Sequence, residues 1–297
     1  EVKEEEIIYL GPDENMTDDL ILWATKHARR RGYRYADAFV SSKPDTGINH
    51  KHYGVTSQGL HVFVDYMLKY VGLDPYNQTF TVKMTGGPDG DVAGNELKLL
   101  HAHYGEKAKV IAIADGQGAA YDPNGLNWEE LLRLVNLSKS IAYFKEECLS
   151  DQKNGFVIFA NTVANIRKRN DLHFNVTSDL FIPAGGRPYS INKDNCHRLL
   201  SETKTPTCKA IVEGANIFFS DDARDFLQDA GILFIIDSTA NKTGVICSSY
   251  EIIASLILSR EEYIDIKEQY VEEVITILKE KAHQEAKLLF QLLRKSR

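Results

Sequence analysis

A glycine-rich stretch in the first third of the chain has the residue types and spacing for binding phosphate groups. It reads Thr-Gly-Gly-Pro-Asp-Gly-Asp-Val-Ala-Gly-Asn over residues 85–95, with glycines at Gly87, Gly90 and Gly94. Glycines let a backbone turn sharply and approach a pyrophosphate, which then lies on the N–H groups at the start of the next helix. Each interval is one residue longer than in the usual dinucleotide fingerprint. A plain tight turn therefore remains the alternative.

An acidic residue follows at the distance that a dinucleotide site requires. Asp115 ends the next apolar run, about 20 positions after Gly94. A carboxylate in that place accepts hydrogen bonds from the adenosine ribose hydroxyls and repels a 2′-phosphate, which favours NAD over NADP. The alternative is that Asp115 only begins the Asp-Gly-Gln-Gly turn.

The elements that must position these residues indicate a parallel sheet. From Thr79 onward, short apolar runs alternate with helical patterns, which is typical of β-α-β units. We predict strands over 80–84, 110–114, 180–183, 210–212 and 232–236, and helices over 92–103, 128–136, 141–148, 195–202 and 222–230. The predicted fold class is α/β, a doubly wound parallel sheet of the Rossmann type.

The flanking regions have a different character, and we predict three parts. Residues 1–55 form the remnant of a second domain, 56–245 the nucleotide-binding domain, and 246–297 a C-terminal helical segment. Helices are predicted near 18–31, 57–72 and 244–258. A C-terminal apolar stripe is predicted to pack on the body of the protein, and it comprises Tyr270, Val274, Leu278, Leu288 and Leu292.

Composition limits the possible partners. The net charge of -7 argues against nucleic acid or an anionic membrane as the main partner. No apolar run approaches the ~20 residues that a membrane span requires. The four cysteines form no C-x-x-C pair, which favours a reducing compartment, and we expect a cytoplasmic protein with the mitochondrial matrix also possible. No histidine pair has a third ligand at a recognisable spacing, so no metal site is predicted.

Further segments carry a family resemblance. They read Gly-Pro-Asp-Glu-Asn-Met over 11–16, Gly-Val-Thr-Ser-Gln-Gly over 54–59, Glu-Gly-Ala-Asn over 213–216 and Asn-Lys-Thr-Gly-Val-Ile-Cys-Ser over 241–248. Together with the glycine-rich loop, they resemble the glutamate dehydrogenase family, and especially its large NAD-specific forms. The resemblance implies reversible oxidative deamination of L-glutamate to 2-oxoglutarate and ammonia, with NAD as cofactor and a homo-oligomeric full-length enzyme.

The resemblance also assigns cofactor-binding roles, residue by residue. Thr56 matches the threonine that contacts the nicotinamide carboxamide. Asn216 and Asn241 match asparagines that hold the nicotinamide ribose and amide. With the loop glycines and Asp115, these residues make up the expected NAD site.

Catalytic and substrate roles are implied in the same way. Asp13 matches the aspartate of an Ala-Pro-Asp motif, which is the family's acid/base. Val245 and Ser248 match substrate contacts, the serine for the distal carboxylate of glutamate. From the residues alone, a helix N-cap is the favoured role of Asp13, and the resemblance reverses this preference.

Three departures from the family pattern qualify these expectations. Lys242 and Thr243 stand where the small forms have Ala and Gly, and the role of Lys242 is open. Pro-Ala-Gly-Gly-Arg over 183–187 replaces Pro-Cys-Ala-Thr-Gln, so Arg187 either reaches a carboxylate or phosphate or is simply solvated. The family's substrate-binding and catalytic lysines precede the Asp13 motif and have no counterpart in this chain. We therefore expect a cofactor-binding part that is inactive by itself.

Two other functions remain open from the sequence. The first is a dehydrogenase of the same superfamily that acts on another amino acid, such as leucine or phenylalanine, and Ser248 argues weakly against it. The second is a non-catalytic nucleotide-binding module that regulates or assembles.

Overall fold

The computed structural model describes residues 8–12 and 16–295, which form two compact units. The first unit comprises Glu1–Val55 and Thr243–Lys281, and the second comprises Thr56–Lys242 and Ala282–Arg297. The three-part division drawn from the sequence stays a prediction. No helix in the described ranges is both long and apolar enough to cross a membrane.

A seven-stranded sheet forms the centre of the second unit. Its strands are β1 (Phe80–Thr85), β2 (Ala108–Ala114), β3 (Gly118–Tyr121), β4 (Phe156–Phe159), β5 (Leu180–Pro183), β6 (Ala210–Val212) and β7 (Leu233–Ile235). Their order is β4-β3-β2-β1-β5-β6-β7, and the strands from β2 to β7 in that order are parallel. The chain runs outward from β1 to β4 and then returns to place β5 on the other side of β1. The point where strand order reverses therefore lies between β1 and β5, which confirms the predicted doubly wound α/β class.

Helices surround this sheet and build the first unit. They are α1 (Asp18–Arg30), α2 (His50–Tyr53), α3 (Val55–Tyr70), α4 (Asp91–Tyr104), α5 (Trp128–Asn136), α6 (Val163–Asn175), α7 (Asp221–Asp229), α8 (Asp237–Ala240), α9 (Thr243–Ile257) and α10 (Arg260–Lys295). The first unit has its own core, in which Ile48, Cys247 and Val274 are buried together.

Two predicted helices are wrong. Residues 141–148 form two short 3₁₀ turns, Ile141–Tyr143 and Glu146–Cys148, instead of one helix. Residues 195–202 form only the 3₁₀ turn Cys196–Leu199. Side-chain bonds favour the shorter turn at the first site, because Ser140 Oγ accepts from the Ala142 N–H at 3.1 Å and the Ile141 N–H is bound elsewhere.

Five elements were not predicted, namely β3, β4, α2, α6 and α8. Strand β3 reads Gly-Ala-Ala-Tyr, which has little strand propensity, and it pairs antiparallel with β2 and with β4. Helix α6 has few apolar residues and only a weak apolar stripe, although Thr162 caps its start by accepting from the Asn165 N–H at 3.2 Å. These elements depend on neighbours in the fold more than on local pattern.

The predicted apolar stripe near the C-terminus is correct for its first part and wrong for its last two leucines. Val274 and Leu278 are buried in the first unit, but Leu288 and Leu292 are 58% and 56% exposed. The face of α10 that is buried in the second unit instead carries Ala282, Ala286 and Phe290. The prediction followed the large leucines, whereas the buried face carries two small alanines and Phe290.

Candidate functional site

The glycine-rich loop joins β1 to α4 at the carboxyl end of the sheet. Gly86 has a φ of 91°, a left-handed conformation that favours glycine. A Cβ at Gly86 would lie 2.8 Å from the amide nitrogen of Gly185 and 2.9 Å from the carbonyl carbon of Ala184. Gly90 is the N-cap of α4. The predicted strand–loop–helix context is therefore present, and the loop lies against the segment that follows β5.

The three fingerprint glycines differ in how much space surrounds them. A Cβ at Gly87 would meet the carboxylates of Asp115 and Asp89, and one at Gly94 would meet the carbonyl of Pro88. A Cβ at Gly90 would approach only the Gly87 carbonyl oxygen closely, at 3.1 Å. Packing inside the protein already requires glycine at Gly87 and Gly94. Close approach of a pyrophosphate is a further reason, and it stays a prediction for all three.

The Asp115 carboxylate accepts the hydrogen bonds that hold the turn after β2. Its Oδ1 accepts from the Gln117 N–H at 2.8 Å, the Gly118 N–H at 3.0 Å and the Ser140 hydroxyl at 2.8 Å. Its Oδ2 accepts from the Ile141 N–H at 2.7 Å. A carboxylate offers about four acceptor positions, so the protein itself occupies most of them. The turn role is observed, and contact with a ribose hydroxyl stays a prediction.

The two asparagines predicted to hold the nicotinamide side are brought together. Asn241 Nδ2 donates to Asn216 Oδ1 at 2.6 Å and lies 3.2 Å from the Gly214 carbonyl oxygen. Asn241 caps the end of α8, and Asn216 is exposed at the end of the Glu-Gly-Ala-Asn motif. The two residues come from distant parts of the sequence and form one polar pair.

A buried ion network holds the loop that carries Asn216, and this network was not predicted from the sequence. Arg224 donates to both carboxylate oxygens of Glu213, at 2.8 and 2.9 Å, and reaches Asp237 at 3.3 Å. Asp237 in turn accepts from the Ile217 N–H at 2.6 Å. Burial raises the pKa of Glu213 to about 7, although Arg224 opposes the shift. Glu213 belongs to the Glu-Gly-Ala-Asn motif, but no pattern in the neighbouring sequence identifies Arg224 as its partner.

A cavity of about 940 Å³ opens beside the glycine loop. The loop, the turn at Asp115, one side of α6 and the residues after β5 line it. Ligands in doubly wound folds bind at the carboxyl ends of the strands where strand order reverses, which is the position of this cavity. A smaller cavity of about 510 Å³ lies near Glu146 and Phe156, and none of the described residues that line it is cationic.

Three arginines line the larger cavity, and two of them are engaged. Arg169 on α6 donates to the carbonyl oxygen of Asp115 at 2.6 Å. Arg198 forms an ion pair with Asp171 at 2.8 Å and lies over the Phe174 ring. Arg169 was not identified from the sequence because α6 was not predicted. The third arginine is Arg187.

Three of the remaining predicted positions, Thr56, Val245 and Ser248, lie in the first two turns of helices. Thr56 is the second residue of α3 and is half-buried. Val245, in the first turn of α9, is 74% exposed, and the buried Ser248 donates its hydroxyl to the Gly244 carbonyl at 3.3 Å. Asp13 lies outside the described residues. The roles of all four stay predictions.

A second buried ion pair organises the first unit around α9. Glu251, one turn after Ser248, accepts from Lys43 Nζ at 2.6 Å, from the Ser42 N–H at 2.8 Å and from the Ile48 N–H at 3.1 Å. Both ionic side chains are only 1% exposed. The pair fixes the 42–48 loop on the helix that presents Val245 and Ser248.

Within residues 8–12 and 16–295, no group of three or more His, Cys, Asp or Glu side chains is arranged to hold a metal ion. His103 instead forms a hydrogen bond with His61 at 2.6 Å, and His61 bonds the fully buried Glu96 at 2.8 Å. Burial raises the pKa of Glu96. This chain of polar groups joins α3 to α4, the helix that begins at the glycine loop.

Comparison with known proteins gives consistent results. The profile of the glutamate/leucine/phenylalanine/valine dehydrogenase family matches residues 47–294. A probable NAD-specific glutamate dehydrogenase of Schizosaccharomyces pombe is 40% identical over 267 residues, which cover 84% of this chain and 23% of that protein. The NAD-specific glutamate dehydrogenase of Saccharomyces cerevisiae is 38% identical over 280 residues, which cover 88% of this chain and 25% of that protein. The chain thus spans about a quarter of the length of these relatives.

Solved structures support the fold. Glutamate dehydrogenase 2 of Plasmodium falciparum has a TM-score of 0.62 at 18% identity and covers 92% of this chain and 54% of that one. The hetero-hexameric glutamate dehydrogenase of Thermus thermophilus has a TM-score of 0.60 at 18% identity, with 97% and 64% covered. The family match extends over most of the chain and includes the glycine loop, the asparagine pair and α9. This chain belongs to the glutamate/leucine/phenylalanine/valine dehydrogenase family.

Proposed function

We propose that this chain is the cofactor-binding part of an NAD-dependent glutamate dehydrogenase. The complete enzyme would convert L-glutamate reversibly to 2-oxoglutarate and ammonia. Family membership and the names of the fungal relatives support this proposal. A homo-oligomeric enzyme in the cytoplasm or the mitochondrial matrix is part of the proposal, and four free cysteines are compatible with a reducing compartment.

The cavity beside the glycine loop is the observation on which the proposal rests. Its size and its place at the strand-order reversal suit a dinucleotide. The loop and the first N–H groups of α4 would hold the pyrophosphate, and Asp115 would lie on the adenosine side. The Asn216–Asn241 pair and Thr56 would hold the nicotinamide side. When bound, NAD would supply the hydride acceptor.

The first unit would act on the substrate. Ser248 and Val245 would contact glutamate, with the serine hydroxyl donating to the distal carboxylate. Asp13 would take a proton from the amine or from water and return it, a role that a carboxylate performs best when its surroundings bring its pKa towards the working pH. The 42–48 loop, anchored by Glu251, would keep α9 in place.

Calorimetric titration with NADH and NADPH tests the cofactor assignment. We expect the wild-type chain to bind NADH more tightly than NADPH. Asp115→Ser should reduce the difference between the two binding free energies by about 1–2 kcal/mol, because the repelling carboxylate is lost. Asp115→Ser also loosens the turn, so Ser140→Ala is the matched control. It removes one hydrogen bond to Asp115 but keeps the charge, and the gap should persist. Equal or tighter NADPH binding by the wild type would contradict the assignment.

Turnover by the full-length protein tests the substrate. We expect glutamate to be preferred over leucine, phenylalanine and valine, and Asp13→Asn to lower turnover on the order of a hundredfold. A preference for leucine would move the assignment to another amino acid. Cofactor binding without any turnover would favour a regulatory module.

A further inference from the structure

The segment after β5 is held in a strained conformation at the edge of the cavity. Tyr189 and Ile217 have φ angles of 56° and 54°, and the Tyr189 N–H donates to the Ile217 carbonyl at 2.7 Å. A positive φ is unusual for a β-branched residue such as isoleucine. Gly186, with a φ of 145°, has the Phe218 ring where a Cβ would lie. Strain of this kind persists only where the surroundings enforce it, and it is concentrated at functional sites.

This conformation presents Arg187 to the cavity. The Arg187 carbonyl accepts from the Ser190 hydroxyl at 2.7 Å, which fixes the backbone. The Arg187 side chain lines the same cavity as the glycine loop. Because Gly185 lies in backbone contact distance of Gly86, the arginine enters the cavity next to that loop.

Arg187 differs from the other cations of the cavity in its bonding. Arg169 is bound to backbone carbonyls and Arg198 to Asp171. Over the described part of the chain, the Arg187 guanidinium makes no hydrogen bond or ion pair. Asp89, Asp115 and Asp171 line the cavity as well, so an anion that enters there meets three carboxylates. A cation is needed on the same wall to offset their repulsion.

We propose that Arg187 is a pyrophosphate-binding residue of the cofactor site, which rests on the proposed function. The loop N–H groups and the start of α4 donate to the pyrophosphate from one side. The planar guanidinium of Arg187 donates two parallel hydrogen bonds to it from the other side, a geometry that suits phosphate oxygens. The enforced backbone after β5 keeps that guanidinium in place before the cofactor arrives.

Titration of binding, without any turnover, tests this role. The ligands are NADH, NADPH, ADP-ribose, which keeps the pyrophosphate, and adenosine, which lacks it. We expect Arg187→Gln to weaken NADH and ADP-ribose binding about tenfold or more and to leave adenosine binding unchanged. Arg187→Lys should recover part of the loss, since it restores charge but not the bidentate geometry. The salt dependence of ADP-ribose binding should also become weaker in Arg187→Gln.

The matched control is Arg167→Gln, which removes an exposed arginine of α6 that does not line the cavity. It should change none of the affinities. Unchanged ADP-ribose binding in Arg187→Gln would overturn the inference, as would an equal loss of adenosine binding. A loss confined to NADPH would place Arg187 at the 2′-phosphate instead. A wild-type chain that binds neither NADH nor ADP-ribose would overturn the proposed function itself.

Discussion

Lys83 lies in β1, the middle strand of the seven-stranded sheet, and is fully buried. Its ammonium donates to the Val176 carbonyl at 2.7 Å and to Thr207 Oγ1 at 3.0 Å. No acidic side chain pairs with it in the described ranges, and burial lowers its pKa to about 8. Cys208 does not neutralise it, because burial raises the pKa of that thiol to about 11. Lysine at this position therefore makes stability depend on pH.

Between pH 8 and 10.5 the unfolded lysine holds a proton that the folded lysine has released. The free energy of unfolding should therefore rise with pH in this window, by about 3 kcal/mol for a shift of this size. We expect Lys83→Met to abolish this rise. Urea unfolding at intervals from pH 7 to pH 10 measures it, with the exposed Lys98→Met as control. Parallel curves for wild type and Lys83→Met would contradict the assignment of the shift to burial.

Arg224 should also contribute measurably to stability, through its ion pair with Glu213. Arg224→Gln would leave the fully buried Glu213 without its cation, which typically costs about 3–5 kcal/mol. Glu213 has a raised pKa, so its folded form binds more protons than its unfolded form from pH 4.5 to about 7. Stability from this group is therefore greatest at low pH and is lost as pH rises. We expect the loss in Arg224→Gln to be larger at pH 8 than at pH 5.

Chemical unfolding of Arg224→Gln at both pH values is the measurement. Adding Glu213→Gln to the same variant removes the uncompensated charge and should recover part of the stability at pH 8. If the double variant is no more stable than Arg224→Gln, loss of packing by the arginine stem would be the better explanation.

At the scale of elements, the junction of β1 with α4 depends on glycines for two separable reasons. A Cβ at Gly94 would lie 3.2 Å from the Pro88 carbonyl carbon and closer still to its oxygen. Gly90 has φ −74° and ψ 150°, which other residues adopt readily. Gly94 is thus required by the fold, and Gly90 tests the approach of the ligand.

We expect Gly94→Ala to lower the free energy of unfolding by about 1–3 kcal/mol, because the loop must move to admit the methyl group. Gly90→Ala should cost less than about 1 kcal/mol, as for a weakened helix cap. Gly90→Val should keep a near-native circular dichroism spectrum and lose NADH binding. Thermal unfolding and calorimetric titration of the three variants measure these effects. Normal NADH binding by Gly90→Val would mean that the pyrophosphate does not pass close to Gly90.

At the scale of the whole molecule, each unit has its own tryptophan. The chain contains two, and Trp23 lies on α1 of the first unit, whereas Trp128 is buried at the start of α5 in the second. The glycine loop, the asparagine pair and the larger cavity all belong to the second unit. A ligand bound there should stabilise that unit directly.

We expect NADH at about a hundred times its dissociation constant to stabilise the second unit by about 2.7 kcal/mol. The unfolding transition reported by Trp128 should shift upward and that reported by Trp23 should not. Thermal melts of Trp23→Phe and Trp128→Phe isolate the two signals, because each variant retains one tryptophan. Equal shifts of both signals would show that the two units unfold as one.

Features encoded over short distances along the chain could be predicted from the sequence. Val/Ile/Phe-rich runs marked the parallel strands, since burial on both faces leaves a local apolar pattern. The order of Thr85–Asn95 marked the loop, because backbone turns depend on adjacent glycines. The α/β class and the family followed from these local signals and were confirmed.

Which distant side chains contact one another depends on how the elements pack. Asp115 is bound by residues from its own turn and by Ser140 and Ile141, a pattern that its neighbours in sequence do not reveal. Asn241 meets Asn216, and Arg224 meets Glu213, only once separate strands and helices have packed. Hydrogen bonds and ion pairs require particular atoms within about 3 Å, and local pattern cannot supply that for residues far apart in sequence. The weak strand β3 and the polar helix α6 form for the same reason, because their stability comes from the neighbours against which they pack.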